Sequence, residues 1–266
     1  MSPPTMRLVK RLLTVGIAVY LGFGAYLFAF QRSLMYFPSP PVGAAAVEAI
    51  AVPSDGETLN LWRVNPGAAD ALIYFGGNAE AVVHNAADFA DLAPQATTYL
   101  VDYRGYGASS GEPSEAALYR DALAVYDAVA GHHDEVAVIG RSLGSGVATY
   151  LATQRPISRL ALITPYDSIE NLAGNLYPLY PISLLLRDKY DSLARAGEIH
   201  VPTLFLIAGR DRIIPPAHAR RLAAAMDPRY VVVRTIDASG HHDITATAAY
   251  RDAMQAFLAQ REPASG

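Results

Sequence analysis

The stretch Val136 to Ala148, VAVIGRSLGSGVA, limits what this chain can fold into more than any other. Val136, Ala137, Val138 and Ile139 form an apolar, mostly β-branched run that reads as a buried strand. It leads directly into Gly140-Arg141-Ser142-Leu143-Gly144, and small residues at 145, 146 and 148 then open a helix. Strand, sharp turn and helix with GxSxG at the turn is the setting in which a serine is thrust out of a sheet. Gly140 and Gly144 permit close passage of the chain, and the small helical residues let the helix press on the strands. The helix N-terminus also aims backbone N–H groups at the serine, where negative charge would develop during attack on a carbonyl. A glycine-rich turn with an incidental serine would look the same in isolation, so the rest of the chain must supply the partners.

Around this stretch the apolar runs alternate with helical patterns. Val47 to Val52 and Thr58 to Val64 read as a hairpin joined through Ser54-Asp55-Gly56. Strands are then expected at Ala71 to Phe75, Thr97 to Val101, Val136 to Ile139, Leu160 to Thr164, Thr203 to Ala208 and Tyr230 to Ile236, all buried on both faces. Helices are expected near 79–93, 114–130, 142–154, 215–226 and 244–260. The alternation predicts an α/β fold: a mostly parallel, eight-stranded sheet with helices on both faces.

The N-terminus is of another kind. Leu12 to Phe30 holds no charge over about 19 residues, enough to cross a bilayer as a helix. Arg7, Lys10 and Arg11 precede it and Arg32 alone follows closely, so the N-terminus is expected in the cytoplasm and the remainder on the other side. A cleaved signal peptide is the rival reading, but the run is long for one and no clear small-residue cleavage site follows. A core helix is the other rival, though the run is apolar on every face. The expected organisation is a cytoplasmic end and anchor over 1–31, a connector over 32–46, a catalytic domain over 47–261 and a tail over 262–266.

Composition removes several classes of function. The net charge is −4 and no basic block occurs, which speaks against nucleic acid as a partner. The chain has no cysteine, excluding disulfides, thiolate catalysis and cysteine metal sites. No metal or cofactor is expected, and composition says nothing of the oligomeric state.

A serine hydroxyl needs a base to take its proton and an acid to orient that base. Of the seven histidines, only His241 and His242 follow the last expected strand, in the turn after Ala238-Ser239-Gly240. That loop lies at the same sheet edge as Ser142. His241, directly after Gly240, is the better placed. Asp211 ends the strand TLFLIA through Gly209-Arg210 and is the expected acid. Asp102 also ends a strand, but it opens the glycine-broken loop Asp102 to Gly107 and is expected to hold that loop through backbone N–H groups. The N–H of Leu143 and that of Asn78, in Gly76-Gly77-Asn78-Ala79, are the expected oxyanion donors.

With the apolar N-terminal segment and QRSLMYFP, the blocks YFGGNAE, VDYRGYGASSGEPSE, GRSLGSGVA, PISLLLRDKYDS, AGRDRIIPP and SGHHDI cover nearly the whole chain. Together they resemble the α/β-hydrolase superfamily, and within it the small membrane-anchored α/β-hydrolase-domain proteins related to protein depalmitoylases. The resemblance implies ester or thioester hydrolysis through an acyl-enzyme, with Ser142, Asp211 and His241 as triad. Two positions depart from it. Gly76 stands where relatives carry a histidine that helps fix the loop, and His242 stands where many carry asparagine.

The segment Asp167 to Asp191 breaks the strand–helix rhythm. Pro178 and Pro181 resist a long helix, and Leu176 to Leu186 is otherwise apolar. It reads either as a cap over the site or as an irregular core helix. As a cap it would bind an acyl chain through Tyr177, Leu179, Tyr180 and Ile182. The sequence thus points to a membrane-anchored hydrolase of small or lipid-like acyl substrates. A peptidase or amidase on the same three groups and a silent, membrane-tethered binding protein are the other readings.

Overall fold

The computed structural model describes residues 3–43 and 47–260; the tail expected at 262–266 lies outside the described residues. A single eight-stranded sheet organises the domain, in the order β1-β2-β4-β3-β5-β6-β7-β8. The strands are β1 Glu48–Ser54, β2 Glu57–Val64, β3 Asp70–Phe75, β4 Ala96–Val101, β5 Val136–Arg141, β6 Arg159–Ile163, β7 Thr203–Ala208 and β8 Val231–Ile236. The β1–β2 and β2–β4 pairs are antiparallel, and every other pair is parallel. The expected hairpin turns at Asp55 and Gly56, both at positive φ.

Alternation along each strand divides the core between two sheet faces. In β3, Ala71, Ile73 and Phe75 join one cluster while Leu72 and Tyr74 join the other. The first face is covered by α3 Glu115–Ala130, α4 Leu143–Gln154 and α8 Pro216–Ala225, through residues such as Leu118, Val147 and Leu222. On the second face lie α2 Ala86–Leu92 and α9 Ala248–Leu258, through Phe89, Met254 and Phe257. The short α5 Ile169–Leu176, α6 Ile182–Leu185 and α7 Ser192–Arg195 fill the span between β6 and β7. Ser168 caps α5 by accepting from Asn171 N–H, and Pro178 and Pro181 separate α5 from α6. The segment is therefore two short helices, not one.

Two expectations about burial and extent do not hold. β8 is an edge strand, and its residues Val232 to Thr235 are exposed rather than buried on both faces, because it has a neighbour on one side alone. The N-terminal helix α1 runs Pro3–Met35, so Gln31 to Met35 continue the helix instead of opening a connector. Nothing in QRSLM breaks a helix; the prolines that do begin at Pro38. No residue in the most hydrophobic window of α1 is buried in the domain.

Topology sets the site. After β3 the chain first adds β4 on one side and then crosses to place β5 on the other. The loops that leave β3 and β5 thus emerge side by side at the carboxyl edge, where parallel sheets bind ligands. Register aligns Phe75 with Gly140, so Gly76-Gly77-Asn78 begins beside Ser142.

Candidate active site

Ser142 occupies the tip of the β5–α4 turn with φ +50° and ψ −113°. Such a conformation costs about 1–3 kcal/mol in a residue with a side chain and persists only where the surroundings fix it. Here Ser142 N–H donates to Ile163 C=O at 2.9 Å, and its own C=O accepts from the Ser145 hydroxyl at 2.6 Å. The flanking glycines are required by contact. A Cβ on Gly144 would stand 2.1 Å from Phe75 O, and one on Gly140 2.4 Å from Gly144 O.

His241 Nε2 lies 3.0 Å from Ser142 Oγ, and His241 Nδ1 lies 2.7 Å from Asp211 Oδ2. The other Asp211 oxygen accepts from Ile213 N–H at 2.9 Å and Ile214 N–H at 2.8 Å. An ionised Asp211 accepts only, so Nδ1 carries the proton and Nε2 is left to accept from the serine hydroxyl. The loops holding the two residues are tied by Arg210 N–H to Ser239 C=O at 2.9 Å. Asp211 and His241 are 6% and 9% exposed, so water competes little for their hydrogen bonds. The structure brings together all three residues that sequence pattern singled out, from the ends of β5, β7 and β8.

Leu143 opens α4, where N–H groups have no intrahelical acceptor. Neither its N–H nor that of Asn78 is taken up among the described residues, and both residues line the same cavity as Ser142. Gly77 N–H, by contrast, is occupied by Glu80 Oε2 at 2.6 Å. The loop lacks histidine at 76, yet it is held at several points. Tyr103 Oη donates to Gly76 C=O at 2.8 Å, and Tyr106 Oη donates to Asn78 Oδ1 at 2.7 Å.

Glu80 is a residue of the candidate site that sequence reasoning missed. Besides Gly77 N–H, it accepts from Tyr74 Oη at 2.7 Å and meets Arg141 at 3.4 Å. Burial works against the Arg141 charge, but the Glu80 carboxylate acting together with Tyr74 and Tyr250 outweighs it and holds the guanidinium above its usual range. The available signal was a lone carboxylate in GGNAEAVV, an otherwise apolar stretch beside the serine turn. Arg141 also reaches His242 C=O at 3.4 Å, while the His242 ring stands edge-on to His241 with centroids 5.3 Å apart. Asp102 differs from expectation. Its Oδ2 is held mainly by the side chains of Asn60, at 2.9 Å, and Trp62, at 3.0 Å, with Ala108 N–H a distant third at 3.4 Å.

A cavity of about 790 Å³ opens over Ser142 and His241. From the cap it is lined by Tyr177, Tyr180 and Ile182, along with Leu185 and Leu186. Leu179 does not line it. The turn between Pro178 and Pro181 directs that side chain outward, 79% exposed, and only its carbonyl is engaged, by the hydroxyl of Tyr20. Among the described residues no three His, Asp or Glu side chains are arranged to hold a metal ion.

A family model described as the alpha/beta hydrolase family matches residues 66–198. An uncharacterised protein of Mycobacterium tuberculosis, Rv2307c, is 34% identical over 96% of this chain and 98% of its own length. The α/β-hydrolase domain-containing protein WAV2 of Arabidopsis thaliana is 29% identical over 81% of this chain and 85% of its own. Among solved structures, the Pyrococcus furiosus esterase Pf2001 superposes with a TM-score of 0.68, covering 84% of this chain and 98% of that one at 15% identity. Sheet order, the serine turn and these similarities agree, and the chain belongs to the alpha/beta hydrolase family.

Proposed function

We propose that the protein is a membrane-anchored serine hydrolase that cleaves carboxylic esters or thioesters through an acyl-enzyme. The observation that carries this reading is the relay from Asp211 through His241 to Ser142, at 2.7 and 3.0 Å. In the first half-reaction Ser142 Oγ attacks the carbonyl carbon while His241 Nε2 takes the hydroxyl proton. The oxyanion is received by the N–H groups of Leu143 and Asn78, and Asp211 stabilises the imidazolium. Collapse expels the alcohol or thiol, which receives the proton from His241. Water then attacks the acyl-serine by the same route and releases the acid. The apolar lining of the cavity favours acyl groups over charged ones.

The membrane part of the reading rests on α1, which is 33 residues long and has a mean hydropathy of 1.9 over its candidate span. Arg7, Lys10 and Arg11 at its start favour a cytoplasmic N-terminus. Retention in membranes through alkaline carbonate, with the domain cut by protease from the non-cytoplasmic side, is the expected behaviour. Cutting from the cytoplasmic side instead would reverse the orientation.

The activity is tested with a fluorophosphonate probe and p-nitrophenyl esters. Wild type should be labelled and Ser142→Ala should not. Ser142→Ala, Asp211→Asn and His241→Ala should each lose at least about 10³-fold in kcat, and pairs should lose little more than singles. Full turnover by His241→Ala would reassign the base, and absence of labelling in wild type would leave a silent hydrolase fold.

A further inference from the structure

The anchor helix is packed against the cap along one face. Among the described residues of α1, Gly24, Leu27, Gln31 and Met35 are the ones covered, at spacings that place them on one side of a helix. The contacts are specific. The rings of Tyr20 and Tyr180 stack at 4.6 Å with 3° between their planes, and each hydroxyl donates to a carbonyl across the joint, Leu179 at 2.7 Å and Tyr20 at 2.9 Å. At Gly24 the approach leaves no room for a side chain, since a Cβ there would stand 2.8 Å from the Tyr180 ring. Lower down, Gln31 donates to Leu185 C=O and accepts from Arg187 N–H, and Arg32 pairs with Asp188 at 2.9 Å.

This joint borders the cavity above Ser142. Gly24, Leu27, Phe28, Leu34 and Met35 of α1 form one wall of it, facing α5 and α6. From Gly24 to Arg32, where charge resumes, the helix advances about 12 Å at about 1.5 Å per residue. That is most of one leaflet of hydrocarbon, half of a core about 30 Å thick.

The outer surface of the joint points to what surrounds it. Leu176, Leu179 and Leu184 are 67%, 79% and 82% exposed at the cap tip, far more apolar surface than a solvated loop carries. Between Leu176 and Leu186 the cap holds no charge, and neither does α1 between Leu12 and Phe30. On both elements charge resumes at one level, marked by the Arg32–Asp188 pair and adjoining Arg187 and Lys189. An apolar zone ending in a common charged rim is the profile of a surface sunk into a leaflet.

We propose that α1 is a wall of the substrate site as well as a tether, forming with the membrane-immersed cap a groove for one membrane-length acyl chain. This rests on the hydrolase reading above and narrows its substrate to long-chain acyl esters or thioesters resident in the same bilayer. The reacting carbonyl sits at the charged rim, beside Ser142, while the chain lies between α1 and α5–α6.

The test uses the full-length protein in phosphatidylcholine vesicles. Leu179→Trp adds a reporter to a chain whose single native tryptophan, Trp62, is buried and serves as a constant background. Lipids brominated on their acyl chains should quench the added signal, and aqueous iodide should not. The reverse result places the cap in water and overturns the proposal. Leu27→Trp narrows the groove from the α1 side and should lower kcat/KM for the palmitoyl ester at least about ten-fold more than for the acetyl ester. An equal fall for both esters also overturns it. Fluorophosphonate labelling at Ser142 reports separately on the chemistry. Quenching by bromolipid without labelling would leave the immersed cap standing and remove the hydrolase reading, and with it the substrate assignment.

Discussion

The side-chain amide of Asn78 clasps the backbone around Phe37. Its Oδ1 accepts Phe37 N–H at 3.0 Å, and its Nδ2 donates to Met35 C=O at 2.5 Å. Asn78 is also the residue whose backbone N–H is free beside Ser142, so the last turn of α1 and the candidate oxyanion loop form one hydrogen-bonded unit. Glu80 holds the loop from the opposite side through Gly77 N–H. The rigidity lost with a histidine at Gly76 is thus replaced from two directions.

Asn78→Ala removes the clasp but keeps the backbone donor. Loss of an oxyanion donor outright costs about 10²- to 10³-fold in kcat, and a donor left in place but poorly aimed costs less. The expected outcome is a fall of about 10- to 100-fold in kcat for a short ester with KM nearly unchanged, since the oxyanion exists only past the ground state. Steady-state kinetics on acetyl esters decides it. A rise in KM at constant kcat would make Asn78 a contributor to substrate binding instead.

The strands and the serine turn were legible because their signals are local: β-branched runs bounded by Gly and Pro, and small residues where the chain must pass closely. The set Ser142, Asp211 and His241 was legible because sheet topology sends strand ends to one edge. What stayed hidden came from contacts between distant segments. No pattern in QRSLMYFP announces that Phe37 N–H will meet Asn78, and no period in LYPLYPISLLL announces that Tyr180 will stack on Tyr20. Leu179 and Ile182 look equivalent in sequence, and only the fold of the two prolines separates them. The exposure of β8 was hidden for the same reason, since YVVVRTI reads as buried until its place at the sheet edge is known.

Gly144→Ala should be among the most damaging single-methyl additions in the chain. The added Cβ would meet backbone, Phe75 O at 2.1 Å, so α4 must move away from β3. Overpacking of this kind costs about 1–3 kcal/mol, more where backbone is the obstacle. Gly174→Ala on α5 is the contrast, with nothing within 4 Å of the added atom. It should gain up to about 1 kcal/mol from helix propensity. Thermal unfolding of the two variants should move in opposite directions, and a shared direction would refute the contact argument.

A second buried histidine–carboxylate pair fixes the base of the cap. Asp167 accepts from His218 Nδ1 at 2.7 Å, from Ser168 N–H at 2.7 Å, from Asn171 at 3.1 Å and from Arg221. Burial alone would raise its carboxyl, but these donors, His218 first, outweigh it and hold it below the usual carboxylate range. A folded-state value below the unfolded one stabilises the protein fully above the unfolded value, about 3.9, and that contribution is lost as pH falls through the depressed folded value. Asp167→Asn should therefore lower stability at neutral pH by roughly 2 to 4 kcal/mol and make the acid limb of the melting-temperature profile shallower. An acid limb parallel to wild type would place the sensitivity elsewhere.

Ile182 and Leu179 make the sharpest comparison for the cap. Ile182 lines the cavity over Ser142, whereas Leu179 points outward. A methylene placed against apolar wall is worth about 0.8 kcal/mol, roughly three- to four-fold in kcat/KM, until the groove is full. Ile182→Ser replaces part of that wall with a hydroxyl, so each further methylene of the acyl chain should gain less, and the plot of log kcat/KM against chain length should flatten. In detergent solution, where no bilayer bears on the cap tip, Leu179→Ser should keep the wild-type slope, because its side chain touches neither the cavity nor the acyl chain. A p-nitrophenyl ester series from acetyl to palmitoyl measures both slopes. If Leu179→Ser flattened the series and Ile182→Ser did not, the chain would lie along the outer face of the cap, and the cavity between α1 and the cap would not be its binding place.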